Sequence, residues 1–145
     1  MEEKKVLKVE LCDAKAKLPV YAYADDAGLD LFSPIAFVLK AGERTVVDTK
    51  VALELPEGTV ALIWDKSGLS IKKGLKVLGG VFDRAYRGTY MIGLINLSKE
   101  DIVFEESDKI CQLLIQPIVQ VSVEQVDEID VLTSRGEGRM GSSGR

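Results

Sequence analysis

Residues 79–88 read GGVFDRAYRG and lie inside a segment that otherwise has the character of a β-strand. The stretch places one carboxylate, Asp83, and one aromatic ring, Tyr86, three residues apart between glycines. Glycine permits the close backbone approach and the unusual dihedral angles of a tight hairpin. Such a hairpin can offer bare backbone to a flat ligand, a ring to stack on it and an acid to activate water. An ordinary hairpin with a solvated aspartate is the alternative, and the stretch alone does not separate the two.

The segments around this stretch predict an all-β fold. Residues 45–55 alternate and are rich in β-branched side chains, residues 56–58 predict a turn, and residues 59–64 are predicted as the hairpin partner of 45–55. Residues 90–97 and 110–123 predict two more strands, the second interrupted near Pro117. The only helix predicted is one short turn at residues 70–74, after Ser67 and ended by Gly74. This pattern favours a β-sandwich or jelly roll whose edges are hidden by assembly or by swapped strands.

Composition limits the organisation and the partners of the chain. Its 145 residues suffice for one domain with a real core, predicted over 1–132, followed by a flexible Gly/Ser-rich tail at 133–145. A net charge of −4 with no large basic cluster argues against a nucleic-acid partner. The absence of a long apolar run and of a signal-peptide pattern predicts a cytoplasmic protein without a membrane partner. Cys12 and Cys111 are far apart and are predicted to be buried, reduced thiols.

The chain contains no histidine. This removes the commonest general base and the usual Ser-His-Asp, Cys-His and His-zinc sites. Any hydrolysis must therefore use a carboxylate, a lysine or a metal ion held by oxygen atoms.

Four further segments carry polar groups suited to a phosphorylated ligand. In AGLDL (27–31), Asp30 could hold a hydrated magnesium ion or orient a basic side chain, or it could be a turn aspartate satisfied by backbone. Lys66-Ser67-Gly68 combines a cation, a hydroxyl and exposed backbone, and it equally fits a helix start with Ser67 as N-cap and a solvated Lys66.

The other two segments lie further along the chain. In KICQL (109–113), Gln112 needs a partner if buried, and a phosphate oxygen, a catalytic water or structural backbone would each serve. The tail RGEGRMGSSG (135–144) has the backbone amides, hydroxyls and cations of a phosphate cradle but lacks the Walker pattern, and a disordered terminus is its alternative.

Taken in order, these five segments resemble the five motifs of the trimeric deoxyuridine triphosphatases, or dUTPases. The family patterns are approximately AGxDL, RSG, GxIDxxYRG, RIAQL and RGxGGFGSTG, against AGLDL, KSG, GVFDRAYRG, KICQL and RGEGRMGSSG here. Each motif alone is weak, but five in order over residues 27–144 are specific. The resemblance implies a distorted jelly-roll homotrimer with a swapped C-terminal segment, active sites at subunit interfaces, and a tail that closes a neighbouring site.

The resemblance also implies roles for individual residues. Asp83 matches the acid that activates the water attacking the α-phosphate of dUTP. The implied reaction is assisted by Mg²⁺ and gives dUMP and pyrophosphate. In the family, this reaction limits the incorporation of uracil into DNA and supplies dUMP for thymidylate synthesis. Tyr86 matches the ring under the deoxyribose, and Gln112 the amide near the α-phosphate. Asp30 matches the acid that holds the magnesium-water shell. The implied substrate-binding residues are Lys66, Ser67 and Gly68 for phosphate, Gly80, Val81 and Met91 for the base, and Arg135, Met140, Gly141, Ser142 and Ser143 in the lid.

The chain departs from the family patterns in several places. Lys66 replaces arginine, Met140 replaces the phenylalanine that stacks on uracil, and Arg139 replaces glycine.

A dCTP deaminase or bifunctional deaminase–diphosphatase of the same fold is an alternative function. Such an enzyme needs a glutamate on the strand after the hairpin, and residues 84–98 contain no carboxylate. A non-catalytic, nucleotide-gated regulatory protein is the second alternative.

Overall fold

The computed structural model describes residues 4–144, so Met1–Glu3 and Arg145, the last position of the predicted lid, lie outside it. The described chain contains ten strands and one helix. These are β1 (Lys8–Leu11), β2 (Leu29–Phe32), β3 (Phe37–Leu39), β4 (Arg44–Glu54), β5 (Thr59–Trp64), α1 (Ser67–Lys73), β6 (Leu75–Leu78), β7 (Val81–Phe82), β8 (Thr89–Asn96), β9 (Ile102–Phe104) and β10 (Lys109–Pro117).

Two four-stranded antiparallel sheets form the body of the molecule. One has the order β1-β4-β8-β6 and the other β2-β10-β5-β7, while β3 and β9 form a small separate pair. Alternate residues of the long strands face inward, as in β8, where Tyr90, Ile92 and Leu94 are buried. Their side chains pack with those of the other sheet into one core. The predicted all-β jelly-roll fold of two packed sheets is confirmed.

One predicted pairing is wrong. Strand β5 follows β4 after the turn at residues 56–58, but it pairs with β10 and β7 in the other sheet, while β4 pairs with β1 and β8. The turn therefore carries the chain from one sheet to the other. Buried Leu55 just before Pro56 anchors this crossing, and the pairing is decided by long-range partners that local sequence does not reveal.

The last predicted strand is shorter than expected. It ends at Pro117, opposite Thr59. The N–H of Ile118 still donates to the carbonyl of Gly58 at 3.0 Å, and residues 119–123 are exposed and belong to no strand pairing within the described chain. Proline has no N–H to donate to a ladder, and β5 offers no residue beyond Thr59. The valines at 119, 121 and 123 still alternate as in a strand, yet each is at least three-quarters exposed.

Two smaller expectations also need correction. Cys111 is buried as predicted, and burial raises the pKa of its thiol, but Cys12 is exposed just beyond the edge strand β1. The predicted short helix exists and ends at Gly74 in the left-handed conformation. However, Ser67 is its first helical residue and not its cap: Lys66 occupies the N-cap position and makes no side-chain capping bond.

None of the helices in the described part of the chain has the length and apolar character needed to cross a membrane.

Candidate active site

A cleft of about 410 Å³ gathers most of the predicted phosphate-binding groups. It lies where β2 and β10 pair side by side and where the chain leaves β5 toward α1. We call it the basic cleft, and its lining includes Gly28, Asp30, Lys66, Ser67, Gly68, Lys109 and Gln112. The structure thus brings together residues of the first, second and fourth segments singled out in the sequence.

Asp30 is the buried centre of this cleft. It lies within β2, so it is not a turn residue, and only 1% of its surface is exposed. Lys66 binds one carboxylate oxygen, and the Nζ of Lys109 lies 2.7 Å from the other. The alternative in which Asp30 orients basic side chains therefore describes the geometry, and Lys66 is not simply solvated.

The two lysines also set the charge state of Asp30. Burial by itself would raise the pKa of this carboxyl group, but the hydrogen bonds and charges of Lys109 and Lys66 outweigh burial and hold the pKa below its usual value. The carboxylate is therefore ionised at neutral pH and fixes two ammonium groups at the mouth of the cleft. Point charges held in this way suit the oxygens of a polyphosphate.

Replacing Asp30 with Asn is expected to lower the free energy of unfolding at pH 7 by about 2 kcal/mol. This value lies between those for exposed and for fully buried ion pairs, because Asp30 is buried and its two lysine partners are partly exposed. Since the folded-state pKa is depressed, the stabilisation is present above the unfolded-state pKa and is lost as the pH falls through the folded-state value. Urea titrations from pH 7 down to pH 2 should therefore show the wild type and the variant converging below about pH 4. A difference that stays constant over this range would contradict the assignment, and Asp25→Asn, at an exposed carboxylate, serves as the control.

Gln112 is held in the basic cleft from two sides. Its Nε2 donates to the backbone carbonyl of Asp65 at 2.8 Å. Its Oε1 lies so close to the backbone of Gly28 that a Cβ added there would be 2.3 Å away. Position 28 therefore has to be glycine if the amide is to keep this orientation. Structural pairing with backbone, one of the options left open by the sequence, is confirmed, and one amide hydrogen and the oxygen are still available to a ligand.

Asp83 lies in a different cleft, of about 580 Å³. This Asp83 cleft is also lined by Glu57, Val60, Arg84 and Ile118. Asp83 follows the short strand β7, is exposed, and accepts a 3.0 Å hydrogen bond at its carbonyl from the backbone N–H of Tyr86. That bond closes a turn which fixes the separation of the carboxylate and the ring.

The glycines before β7 allow the chain to reach this position. Gly80 has φ of 117°, and a Cβ there would lie 2.8 Å from the carbonyl oxygen of Ile63. Its own carbonyl accepts a 2.7 Å hydrogen bond from the N–H of Ile63. The backbone of Gly80 is therefore in direct contact with β5, which requires glycine at this position. The predicted approach of this backbone to a flat ligand stays a prediction.

Tyr90 leaves one buried hydroxyl without a hydrogen-bond partner in the described structure. The side chain is fully buried, and burial, followed by the neighbouring Tyr86, raises its pKa to about 12. A buried hydroxyl without a partner carries its full desolvation cost.

Tyr90→Phe is therefore expected to raise the free energy of unfolding by about 1 kcal/mol. Chemical denaturation at neutral pH measures the change. The matched variant Tyr86→Phe should do the opposite, because the hydroxyl of Tyr86 donates to the carbonyl of Thr89 at 2.9 Å. A loss of stability in Tyr90→Phe would mean that its hydroxyl is hydrogen-bonded after all.

The two clefts are well separated within one chain. Gln112 pairs with Trp64 on β5, whereas Asp83 follows Phe82, which pairs with Ala61. Asp83 is thus level with Val60, four residues or about 13 Å along β5 from Trp64. It also lies on the opposite side of β5, because β10 and β7 flank that strand. Within one chain, the carboxylate of Asp83 and the amide of Gln112 therefore lie in separate clefts.

The remaining predicted residues are spread over the surface. Val81 is exposed next to Gly80, and Met91 lies on the outer face of β8, opposite to buried Tyr90. In the tail, Arg135 donates from Nε to the carbonyl of Gly138 at 2.8 Å, and Met140 is 93% exposed. The described tail residues Arg135, Met140, Gly141, Ser142 and Ser143 line neither the basic cleft nor the Asp83 cleft.

Comparison with known proteins decides the family. A family model described as dUTPase matches residues 14–144, which include both clefts and the tail. This chain belongs to the dUTPase family. It is 44% identical over 140 residues to the deoxyuridine 5′-triphosphate nucleotidohydrolase of Clostridium acetobutylicum, covering 95% of this chain and 96% of that protein.

Solved dUTPases share the fold over almost the whole chain. A mutant dUTPase of Staphylococcus bacteriophage 80alpha, solved with dUpNHpp, is 31% identical with a TM-score of 0.88, covering 98% of this chain and all of that one. A mutant dUTPase of phage phi11 of S. aureus, whose structure reveals the coordination of a structural Mg(II) ion, is 30% identical with a TM-score of 0.81, covering 86% and 99% of the two chains.

Sequence reasoning missed two groups that shape the basic cleft. Lys109 opens the KICQL segment, yet only Gln112 was singled out there, although a basic residue at the start of the motif was a visible signal. Lys109 shares Asp30 with Lys66 and lines the basic cleft. The carbonyl of Asp65, which holds Gln112, could not have been found, because no side-chain pattern marks a backbone acceptor.

The described residues do not build a protein-held metal site. No three Asp, Glu, Cys or His side chains within residues 4–144 converge on one point. Lys66 and Lys109 each form an ion pair with one oxygen of Asp30, which is the carboxylate at the centre of the basic cleft. A magnesium ion would need most of its ligands from elsewhere.

Proposed function

We propose that this chain hydrolyses dUTP to dUMP and pyrophosphate. The observation that carries the proposal is the dUTPase family match over residues 14–144, which contains every segment singled out in the sequence. The likeness to a phage dUTPase solved with dUpNHpp, over 98% of this chain, supports the same substrate class.

The proposed reaction starts at Asp83. Its carboxylate takes a proton from a water molecule while the water oxygen forms a bond to the α-phosphorus. The bond from that phosphorus to the bridging oxygen of the β-phosphate breaks, and pyrophosphate leaves with the electron pair. Because Asp83 is exposed and linked to Tyr86 through one turn, the acid and the sugar-contacting ring would meet the substrate together.

The basic cleft would hold the triphosphate. Lys66 and Lys109, both fixed by Asp30, supply positive charge, while Ser67 and Gln112 supply hydrogen-bond donors. Fixed charges and donors of this kind stabilise the charge that develops on a phosphate in the transition state. Asp30 acts here by positioning the lysines.

Magnesium belongs to this proposal as an ion carried by the substrate. Mg²⁺ is commonly bound through substrate phosphates and water with few protein ligands, and this agrees with the lack of an acidic cluster within residues 4–144. When bound, it would neutralise charge on the leaving pyrophosphate.

Assembly into a homotrimer would join the two clefts. The outer face of the sheet β1-β4-β8-β6 carries exposed Val46, Leu78 and Met91, a patch of the kind that marks an interface. The extended segment 118–123 exposes alternating valines and suits a strand that pairs with another copy. If a neighbouring chain's basic cleft lay against the Asp83 cleft, one site would contain both the general base Asp83 and the amide of Gln112.

The experiment that tests the function is a substrate panel. Pyrophosphate and ammonia are measured for dUTP, dCTP, dTTP and UTP with Mg²⁺, and dUTP alone is expected to be turned over. Ammonia from dCTP would indicate the deaminase, which would need a carboxylate that the sequence of β8 does not supply near Gly93. Nucleotide binding without any turnover would indicate the regulatory protein.

A further inference from the structure

Three aromatic rings form a cluster beside Asp83. Phe82 on β7 stacks on Tyr90 of β8, with centroids 4.0 Å apart and ring planes within 11°. Because β7 and β8 belong to different sheets, this stack joins the two halves of the sandwich. Tyr86 leans on both rings, with centroids at 5.6 Å and 6.0 Å and tilts of 52° and 50°.

The other sides of the Tyr86 ring are also fixed. Its hydroxyl donates to the carbonyl of Thr89, and its backbone N–H donates to the carbonyl of Asp83. A Cβ at Gly88 would lie 2.4 Å from the hydroxyl oxygen, so the chain passes as close as glycine allows. The residue as a whole is 40% exposed. The Phe82–Tyr90 stack thus supports a ring that is still partly open to solvent.

Tyr90 contributes its ring to this cluster and not its hydroxyl. The hydroxyl has no hydrogen-bond partner within the described residues, whereas the ring faces are in contact with Phe82 and near Tyr86. A phenylalanine at this position would make the same aromatic contacts.

We propose that Phe82 and Tyr90 are positioning residues that set the tilt of Tyr86 and thereby how strictly the site excludes a 2′-hydroxyl. This inference rests on the proposed function, in which Tyr86 lies under the deoxyribose. If the stack is lost, Tyr86 can retract toward the space it leaves, and the room beside C2′ grows. Aromatic contacts of this kind correspond to about a three- to tenfold change in an equilibrium or rate ratio.

The test compares two stacked pairs in the same protein. Phe82→Leu removes one ring from the cluster. Phe37→Leu is the matched control, because Phe37 is also half-buried and stacks on Phe104 with centroids 4.6 Å apart and planes within 12°, in the separate β3–β9 pair. Both variants should lose comparable thermal stability. The kcat/KM values for dUTP and UTP are then measured well below both melting temperatures.

The expected result is a three- to tenfold rise, on the order given by aromatic pair energies, in the UTP-to-dUTP ratio of kcat/KM for Phe82→Leu. Phe37→Leu and Tyr90→Phe should leave the ratio unchanged. In a Tyr86→Ala background, Phe82→Leu should change the ratio no further, because the effect passes through Tyr86. Phe82→Met, which fills the same space flexibly, replaces Phe82→Leu if that variant does not fold.

Three other outcomes would overturn the inference. The first is an unchanged UTP-to-dUTP ratio of kcat/KM in Phe82→Leu, or an equal change in Phe37→Leu. In that case the positioning role is wrong, but the proposed function stands as long as the wild type hydrolyses dUTP. The second is a change in this ratio when Phe82→Leu is added to Tyr86→Ala, because the effect would then not pass through Tyr86. The third is a wild-type protein that hydrolyses no nucleotide, which would contradict both the proposed function and this inference.

Discussion

Asp83→Asn is expected to lower kcat for dUTP hydrolysis by about a hundred- to ten-thousand-fold, the usual contribution of a general base. Asparagine has the same shape but cannot accept the proton from the attacking water. Asp83 is exposed, and only its backbone carbonyl takes part in the turn with Tyr86, so the fold should tolerate the change. Single-turnover hydrolysis measures the loss of rate, and calorimetry with dUpNHpp measures binding, which should persist.

The control for this substitution is Glu100→Gln, which neutralises an exposed carboxylate in the loop between β8 and β9. It should retain wild-type kcat. Full activity in Asp83→Asn would remove Asp83 as the base, and a loss of dUpNHpp binding equal to the loss of rate would make it a binding residue.

Gln112→Glu is expected to lower kcat/KM for dUTP by about a hundred- to thousand-fold, the usual effect of losing one oriented donor to a developing charge. The substitution keeps the length of the side chain but removes the Nε2 donor that binds the carbonyl of Asp65. It also adds a negative charge in a cleft where Lys66 and Lys109 would otherwise attract phosphate.

Gln116→Glu is the matched control. Gln116 is exposed on the same strand, and its substitution by glutamate changes the net charge by the same amount. It should change kcat/KM little. If both variants lose the same activity, the effect comes from the net charge of the protein and not from the position of the amide.

Local patterns predicted the strands well but not their partners. The alternation in residues 45–55 and 90–97 identified β4 and β8 almost to the residue. The transfer of β5 to the other sheet is decided by contacts with β10, about 50 residues later, which no local signal reveals. The alternating valines after Pro117 predicted a strand that finds no partner within the described chain.

The sequence marked candidate residues but not how they are arranged. Glycines drew attention to the segment of Asp83 and Tyr86, and Gln112 was marked as an amide among apolar residues, whereas the close approach of Gly28 to that amide is visible only in the structure. The sharing of buried Asp30 by two lysines was not predictable, since it depends on the pairing of β2 with β10. The aromatic stack beneath Tyr86 likewise forms only where the two sheets meet.

Subunit mixing tests most directly whether each site is completed by two chains, as proposed. Asp83→Asn and Gln112→Glu are each expected to be nearly inactive alone. When equal amounts are unfolded and refolded together, a site made of one chain's Asp83 cleft and another's basic cleft is intact in about a quarter of cases in a closed symmetric oligomer. About a quarter of the wild-type dUTP turnover is therefore expected to be recovered. Turnover that stays at the sum of the two separate variants would show that each chain carries its own complete site and would contradict the account.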